Sequence, residues 1–128
     1  MSLFSTFDVS ASGLTANRVW MDTIANNVSN INTTRTPEGG PYKRQQVVLS
    51  SKGTGEGVRV AGIVRNEGQP RLVYDPQHPD ADESGYVAMP DINIVTEMVN
   101  MVAATRAYEA NVTVIGAAKS MSMKALEI

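Results

Sequence analysis

Leu3 to Asn30 runs LFSTFDVSASGLTANRVWMDTIANNVSN, and the spacing of its apolar residues decides what kind of chain this is. Phe4, Phe7, Ala11, Leu14, Arg18, Met21, Ala25 and Val28 recur in alternating steps of three and four, and all but Arg18 are apolar. That period winds a single stripe along a helix, the seam of a coiled coil. The only charges in the stretch are Asp8, Arg18 and Asp22; Ser, Thr, Asn and Ala cover the remaining faces. Fully helical, it would measure about 40 Å.

The far end of the chain repeats the pattern. Ile94, Met98, Met101, Thr105, Tyr108, Val112, Ile115, Lys119, Ser122 and Leu126 keep the same steps and are mostly apolar. The apolar surface is wider here: Val95, Val99 and Val102 form a second stripe, and Val114 and Met121 fall nearly opposite the first. Between Ile92 and Leu126 only Glu97, Arg106, Glu109, Lys119 and Lys124 are charged, whereas about a quarter of ordinary globular sequence is. One partner helix covers only part of such a surface. Each 100 Å² of it removed from water is worth on the order of 2.5 kcal/mol before association costs. The expectation is side-by-side packing with other chains through Phe4, Phe7, Leu14 and Met21 at one end, and Ile94, Met98, Met101, Tyr108, Val112 and Ile115 at the other. The methionines suit an interface that repeats with small variations in geometry.

Between the two helical ends the texture changes. Eight of the ten glycines, five of the six prolines and more than half of the charged side chains lie between Arg35 and Met89. Strand signals stand among the turns: Tyr42 to Leu49, Gly57 to Arg65 and Arg71 to Tyr74. Asn66-Glu-Gly-Gln-Pro70 reads as a hairpin connection between the last two. Pro37-Glu-Gly-Gly-Pro41 and Gly53-Thr-Gly-Glu-Gly57 read as loops at the sheet edges. The predicted fold is mainly α with a small β part: long terminal helices forming an antiparallel coiled-coil-like hairpin, with a short antiparallel sheet and loops between them. Its divisions are 1–33, 34–89 and 90–128.

Composition excludes several function classes. The net charge is −2 and only Lys43 and Arg44 are adjacent basic residues, so the clustered cations that bind nucleic acid are absent. With no cysteine there are no disulfides, thiolate nucleophiles or cysteine zinc ligands. No apolar run approaches the roughly 18 residues of a membrane span, and the amino-terminal end lacks the pattern of a cleaved export signal. The one histidine sits in Asp75-Pro-Gln-His-Pro79, and no nucleophile-elbow sequence accompanies it. Asp75, His78, Asp80, Asp82 and Glu83 are close enough in sequence to suggest an ion site, but their spacing fits no EF-hand loop, and a solvated turn explains them better. Gly53 to Gly57 lacks the Lys-Ser/Thr pair of a phosphate loop. No reaction, cofactor or metal is expected.

The string Ala25-Asn-Asn-Val-Ser-Asn-Ile-Asn-Thr33 carries two readings. Asparagine tolerates the conformation that ends a helix. Primary amides also donate and accept at once, which suits fixed contacts between packed elements or subunits. Four asparagines, Asn26, Asn27, Asn30 and Asn32, exceed the need of one cap, and capping and contact readings both stand.

That string resembles the amino-terminal motif of the bacterial flagellar rod and hook axial proteins. Val73-Tyr-Asp-Pro-Gln-His-Pro-Asp-Ala-Asp82, Gly85-Tyr-Val-Ala-Met-Pro90 and Asn93-Ile-Val-Thr-Glu-Met-Val-Asn-Met101 are similar to the same family, and to its proximal-rod members in particular. The likeness covers nearly the whole chain. It implies a structural subunit, exported unfolded by the flagellar type III apparatus without a cleaved signal, that polymerises into a periplasmic rod of the basal body. Its partners would be copies of itself, other rod proteins, the export apparatus and, through neighbouring subunits, the membrane-embedded ring at the rod base. The terminal helices would line the inner tube that conducts exported subunits, with the middle segment outward. Asn26, Asn27, Asn30, Asn32 and Thr33 would belong to the axial core, matched by Tyr108, Ala110 and Asn111 in the second helix. The competing reading is a helical subunit of another type III secretion assembly, of needle or translocator kind.

Overall fold

The computed structural model describes Ser2 to Ile128. Helix α1 spans Leu3–Ser29, strands β1 to β4 span Gln45–Gly53, Gly57–Arg65, Arg71–Tyr74 and Tyr86–Met89, and helix α2 spans Ile94–Glu127. The order is helix, four strands, helix. At 1.5 Å per residue the helices are about 40 and 51 Å long.

Each helix starts where a side chain can take up orphan amides. Ser2 Oγ accepts from Ser5 N at 3.1 Å, and Asn93 Oδ1 accepts from Val95 N at 2.9 Å and Thr96 N at 3.3 Å. Neither start needs the hydrophobic core to define it. Asn30 ends α1 by directing its backbone N–H at Asn26 O and Asn27 O.

α1 and α2 run antiparallel along most of their length. Gly13 lies against Asn111, Met21 against Thr105 and Asn27 against Glu97, so residues whose numbers total about 124 to 126 face one another. A Cβ on Gly13 would stand 2.7 Å from Asn111 Nδ2, and the missing side chain is what lets the helices close there.

The heptad stripe read from the sequence is displaced from the seam the fold closes. α1 buries Ser10, Gly13, Ala16, Asn17, Thr23, Ile24 and Asn27, while Phe4, Ala11, Arg18 and Ala25 are exposed. The buried stripe is therefore one residue, about 100°, from the apolar one. On α2 the displacement is partial: Met101, Tyr108 and Ile115 flank the seam, but Glu97, Ala104 and Ala118 rather than Met98, Thr105 and Lys119 lie in it. Small residues and hydrogen-bonded amides allow close approach, and periodicity of apolar residues alone does not say which neighbour they meet.

The β part corrects two expectations. Instead of one sheet there are two: β1 pairs with β2, and β3 with β4, both antiparallel. Asn66 to Pro70 is accordingly a crossover between the two sheets and not a hairpin loop; the partner of β3 is Tyr86–Met89, which the sequence reading left out of the strands. The first strand also begins later than Tyr42 and runs on to Gly53, so that Gly53 to Gly57 is the tight turn of the β1–β2 hairpin. Gly57, at φ 104°, tucks beneath α1, where a Cβ would overlap Ser12 Oγ. That hydroxyl donates to Val9 O at 2.7 Å and accepts from Val58 N at 3.1 Å, fastening β2 to α1.

The apolar core is thin. Ala16, Ile24, Val87, Ile92, Ala104 and Ala118 are its buried hydrophobic side chains, accompanied by the buried polar Ser10, Asn17, Thr23, Asn27 and Glu97. The accessible surface is 8649 Å² for a 13.8 kDa chain, against about 6600 Å² for a compact monomer of that mass.

Candidate assembly surface and the polar node behind it

Asn27 occupies the last turn of α1 with its side chain turned inward, 1% exposed. Its Oδ1 accepts from Gln45 N at 2.9 Å and from Tyr42 Oη at 3.0 Å, while its Nδ2 donates to Gln45 O at 2.8 Å. The amide thus copies the donor and acceptor of a neighbouring strand and captures the first residue of β1. At 3.5 Å from Nδ2 is Glu97 Oε2, at the start of α2.

Glu97 is the most buried charged residue among the described residues, its side chain 1% exposed. Its Oε1 accepts from Arg44 Nε at 2.5 Å. A carboxylate here is tolerable only because that guanidinium and the Asn27 amide surround it, since an unpaired buried charge is costly. Burial first, and the Glu97 carboxylate second, raise the Tyr42 phenol above its ordinary value, so Tyr42 stays a hydrogen-bond donor to Asn27. Every buried side-chain nitrogen and oxygen among the described residues has a partner. α1, β1 and α2 are therefore joined at one end of the hairpin by a closed polar node.

The other asparagines do different things. Asn30 Nδ2 donates to Asn26 O at 2.8 Å and its Oδ1 accepts from Thr33 Oγ1 at 3.1 Å, so this residue caps the helix and shapes its exit. Asn26 and Asn32 have exposed side chains. Asn111 rests on Gly13 in the seam.

The apolar candidates separate by position. Phe4, Ile94, Met98 and Val112 are exposed, and Phe7, Leu14, Met21, Met101, Tyr108 and Ile115 are half-buried along the edges of the α1–α2 seam. Beyond them, Val95, Val99 and Val102 make a continuous apolar ridge on the side of α2 turned away from α1, each more than half exposed. Among the described residues, no helix is long and apolar enough to cross a membrane.

The acidic turn after β3 is engaged in binding the chain to itself. Asp80 accepts from Thr34 Oγ1 at 2.6 Å and Arg35 Nε at 2.5 Å, bonds which hold its carboxyl below the usual carboxylate range. Asp82 Oδ1 accepts from Ser84 N and Tyr86 N, both at 2.9 Å, which turns the chain into β4. Among the described residues no three His, Asp or Glu side chains converge as metal ligands would.

Tyr42, Arg44, Gln45 and Glu97 are the residues that sequence reasoning missed. One signal was present: Glu97 is the sole charge between Asp91 and Arg106, an isolated acid in an apolar helix.

Two family models match the chain. One, described as flagella basal body rod protein, covers residues 7–35, and the other, described as flagellar basal body rod FlgEFG protein C-terminal, covers residues 83–128. Over full length the chain is 45% identical to the flagellar basal-body rod protein FlgC of Borreliella burgdorferi, spanning 100% of this chain and 98% of that one. It is 44% identical to the protein of the same name from Bacillus subtilis, covering 100% and 99%. With that of Escherichia coli the identity is 40%, over 100% and 98%.

Proposed function

The chain belongs to the FlgC family of flagellar basal-body rod proteins, and from that premise we propose that it polymerises with copies of itself and other rod components through the outer flanks of α1 and α2. It is a structural rod subunit, and no reaction is assigned to it. The observation that carries the reading is the surface the fold leaves open: about 2000 Å² beyond that of a compact monomer, with Val95, Met98, Val99 and Val102 aligned on it. An excess of that size matches what a stable protein interface buries. Residues 1–33 and 90–128 form the axial unit in this proposal, with 34–89 placed outward, in a periplasmic rod reached through the flagellar export apparatus.

Phe4, Phe7, Leu14, Met21, Asn26, Asn32 and Thr33, with Ile94, Met98, Met101, Tyr108, Val112 and Ile115, remain the proposed contact residues, and Val95, Val99 and Val102 join them. Asn27, Asn30 and Asn111 serve chiefly within the subunit, where their partners lie. The test is the double substitution Val99→Asp, Val102→Asp. Both sites are exposed, so the purified chain should keep its helical circular dichroism, while its amount in isolated basal bodies falls at least tenfold and motility is lost. Normal incorporation would refute the assigned surface.

A further inference from the structure

A strand at the margin of a sheet turns every second N–H and C=O outward, away from its own ladder. In three places the chain supplies the missing partner. Asn27 takes up both outward groups of Gln45 on β1, Ser12 Oγ the N–H of Val58 on β2, and Asp82 both groups of Tyr86 on β4. Val47 and Leu49 are outward in the same sense as Gln45, because β1 stays regular while the bulge falls on Ala61 of β2, which has no partner in β1. On β3 the outward residues are Leu72 and Tyr74, since Asp75 N donates to Gly85 O and fixes the alternation. Among the described residues no side chain caps the main chain of these four as Asn27, Ser12 and Asp82 cap the others. The open part of β1 borders a cavity. α1 crosses the hairpin obliquely, from the β1 edge at Asn27 to the β2 edge at Ser12, so the groove beside β1 widens from Gln45 toward Leu49. A cavity of about 360 Å³ fills it, lined by Trp20, Ile24 and Asn100 on the helices and by Gln46, Val47 and Leu49 on the strand.

Resting on the rod reading above, we infer that this groove receives β3 of the next copy by strand addition, so that β2, β1, β3 and β4 form one sheet across two subunits. Within one subunit the two sheets are separate. The antiparallel register sets Val47 opposite Tyr74 and Leu49 opposite Leu72, two open positions meeting two. Residues directly opposite one another share a face. Val47 and Leu49 line the cavity, so Leu72 and Tyr74, 64% and 65% exposed in the free subunit, enter it beside Trp20. The limits coincide as well. The next alternate residues on β3 are Pro70 and Pro76, which have no N–H to offer, and Pro76 falls at Gln45, where Asn27 already serves the strand. The outer edge of β2 is the poorer receiver, because Ser12 occupies one end and the bulge at Ala61 breaks its run. An edge flanked by exposed Leu72 and Tyr74 is a pairing hazard until it is occupied. Two different edges meet in the contact, so each subunit gives β3 on one side and β1 on the other, and the array continues.

In this register Gln46 and Asp75 form a pair without hydrogen bonds, Cα atoms about 4.5 Å apart and within disulfide reach. Both are exposed, and the chain has no cysteine of its own. Gln46→Cys and Asp75→Cys are introduced into one chain, which replaces the resident copy in cells, and isolated basal bodies are oxidised and run without reductant. Dimers and larger multimers are expected from the double variant, and monomer alone from either single variant. Dimers from a single variant, or normal basal-body content with monomer alone from the double, would overturn the register while leaving the rod reading intact. A second arm removes the open edge. Leu72→Pro deletes an outward N–H that the subunit itself does not use; the purified chain should keep its circular dichroism and melting temperature, while its basal-body content falls about tenfold. Leu72→Lys at the same exposed site should do likewise, and serves if proline disturbs the strand. Normal incorporation of either folded variant would overturn the inference. Loss of a folded Val47→Pro chain beside normal incorporation of Leu72→Lys would give the groove to an extended segment of another protein and overturn the assignment of β3. Absence of the unsubstituted chain from basal bodies would sink the rod reading itself.

Discussion

Asn27 shows how much one amide can hold. Its removal would leave Gln45 N–H and C=O and the Tyr42 hydroxyl without the partner they have in the fold. Stranded buried groups cost about 1–3 kcal/mol each, and water can reach only part of this site. Asn27→Ala should therefore lower stability by about 2–4 kcal/mol, read as a shift in urea midpoint at constant slope. A change under half a kilocalorie would mean the node is not a structural lock. The sequence announced that the asparagines mattered but not how they divide the work. Tyr42 is 15 positions from Asn27 and Glu97 is 70, so only the folded chain reveals which amide faces inward.

At the level of elements, the helices were legible because apolar periodicity is a local property. Their rotational phase was not. Phe4, Ala11 and Ala25 advertise a stripe that the subunit leaves outside, while Gly13 and Ala104 make the seam because they are small. Strand pairing was misjudged for a similar reason. Asn66 to Pro70 has the composition of a turn, but the partner of β3 lies beyond an eleven-residue excursion, Asp75 to Gly85, organised by Asp82. That excursion is tied to the exit of α1 by Asp80, whose carboxyl is held low by Thr34 and Arg35. A depressed carboxylate contributes stability above its unfolded value of about 3.9, and the contribution is lost as pH falls through the lower folded value. The amide resonances of Thr34 and Arg35 should thus stay constant from about pH 8 to 5 and move only below about pH 4. Movement centred above pH 5 would exclude Asp80 as the titrating group.

For the whole molecule, the thin core and the large exposed surface imply uneven rigidity. The node joins three elements at one end, whereas Leu3 and the last turns of α2 have little around them: Phe4 is 80% exposed and Leu126 87%. Amide exchange in the isolated chain should be slowest around Ile24 to Asn27 and Glu97 to Ala104. It should quicken toward Phe4 and Leu126, the helix ends that need neighbours for their packing energy. Equal protection along both helices would contradict this. Assembly was legible in the sequence from charge-poor, apolar terminal segments; the node was not, since its members come from three separate parts of the chain.

Mechanically, the node turns the helical pair into tweezers. The closed end is clamped by Asn27, Arg44 and Glu97, while toward the tips the blades meet through glycine, serine and alanine, which slide and part with little loss. A sideways load on the tips bends the blades about the clamp, and the β1–β2 hairpin, fastened to α1 at Ser12, moves with that blade. Chains of one sequence can then open by different amounts in positions that are not equivalent, taking up curvature at the tips while the clamped ends keep their shape.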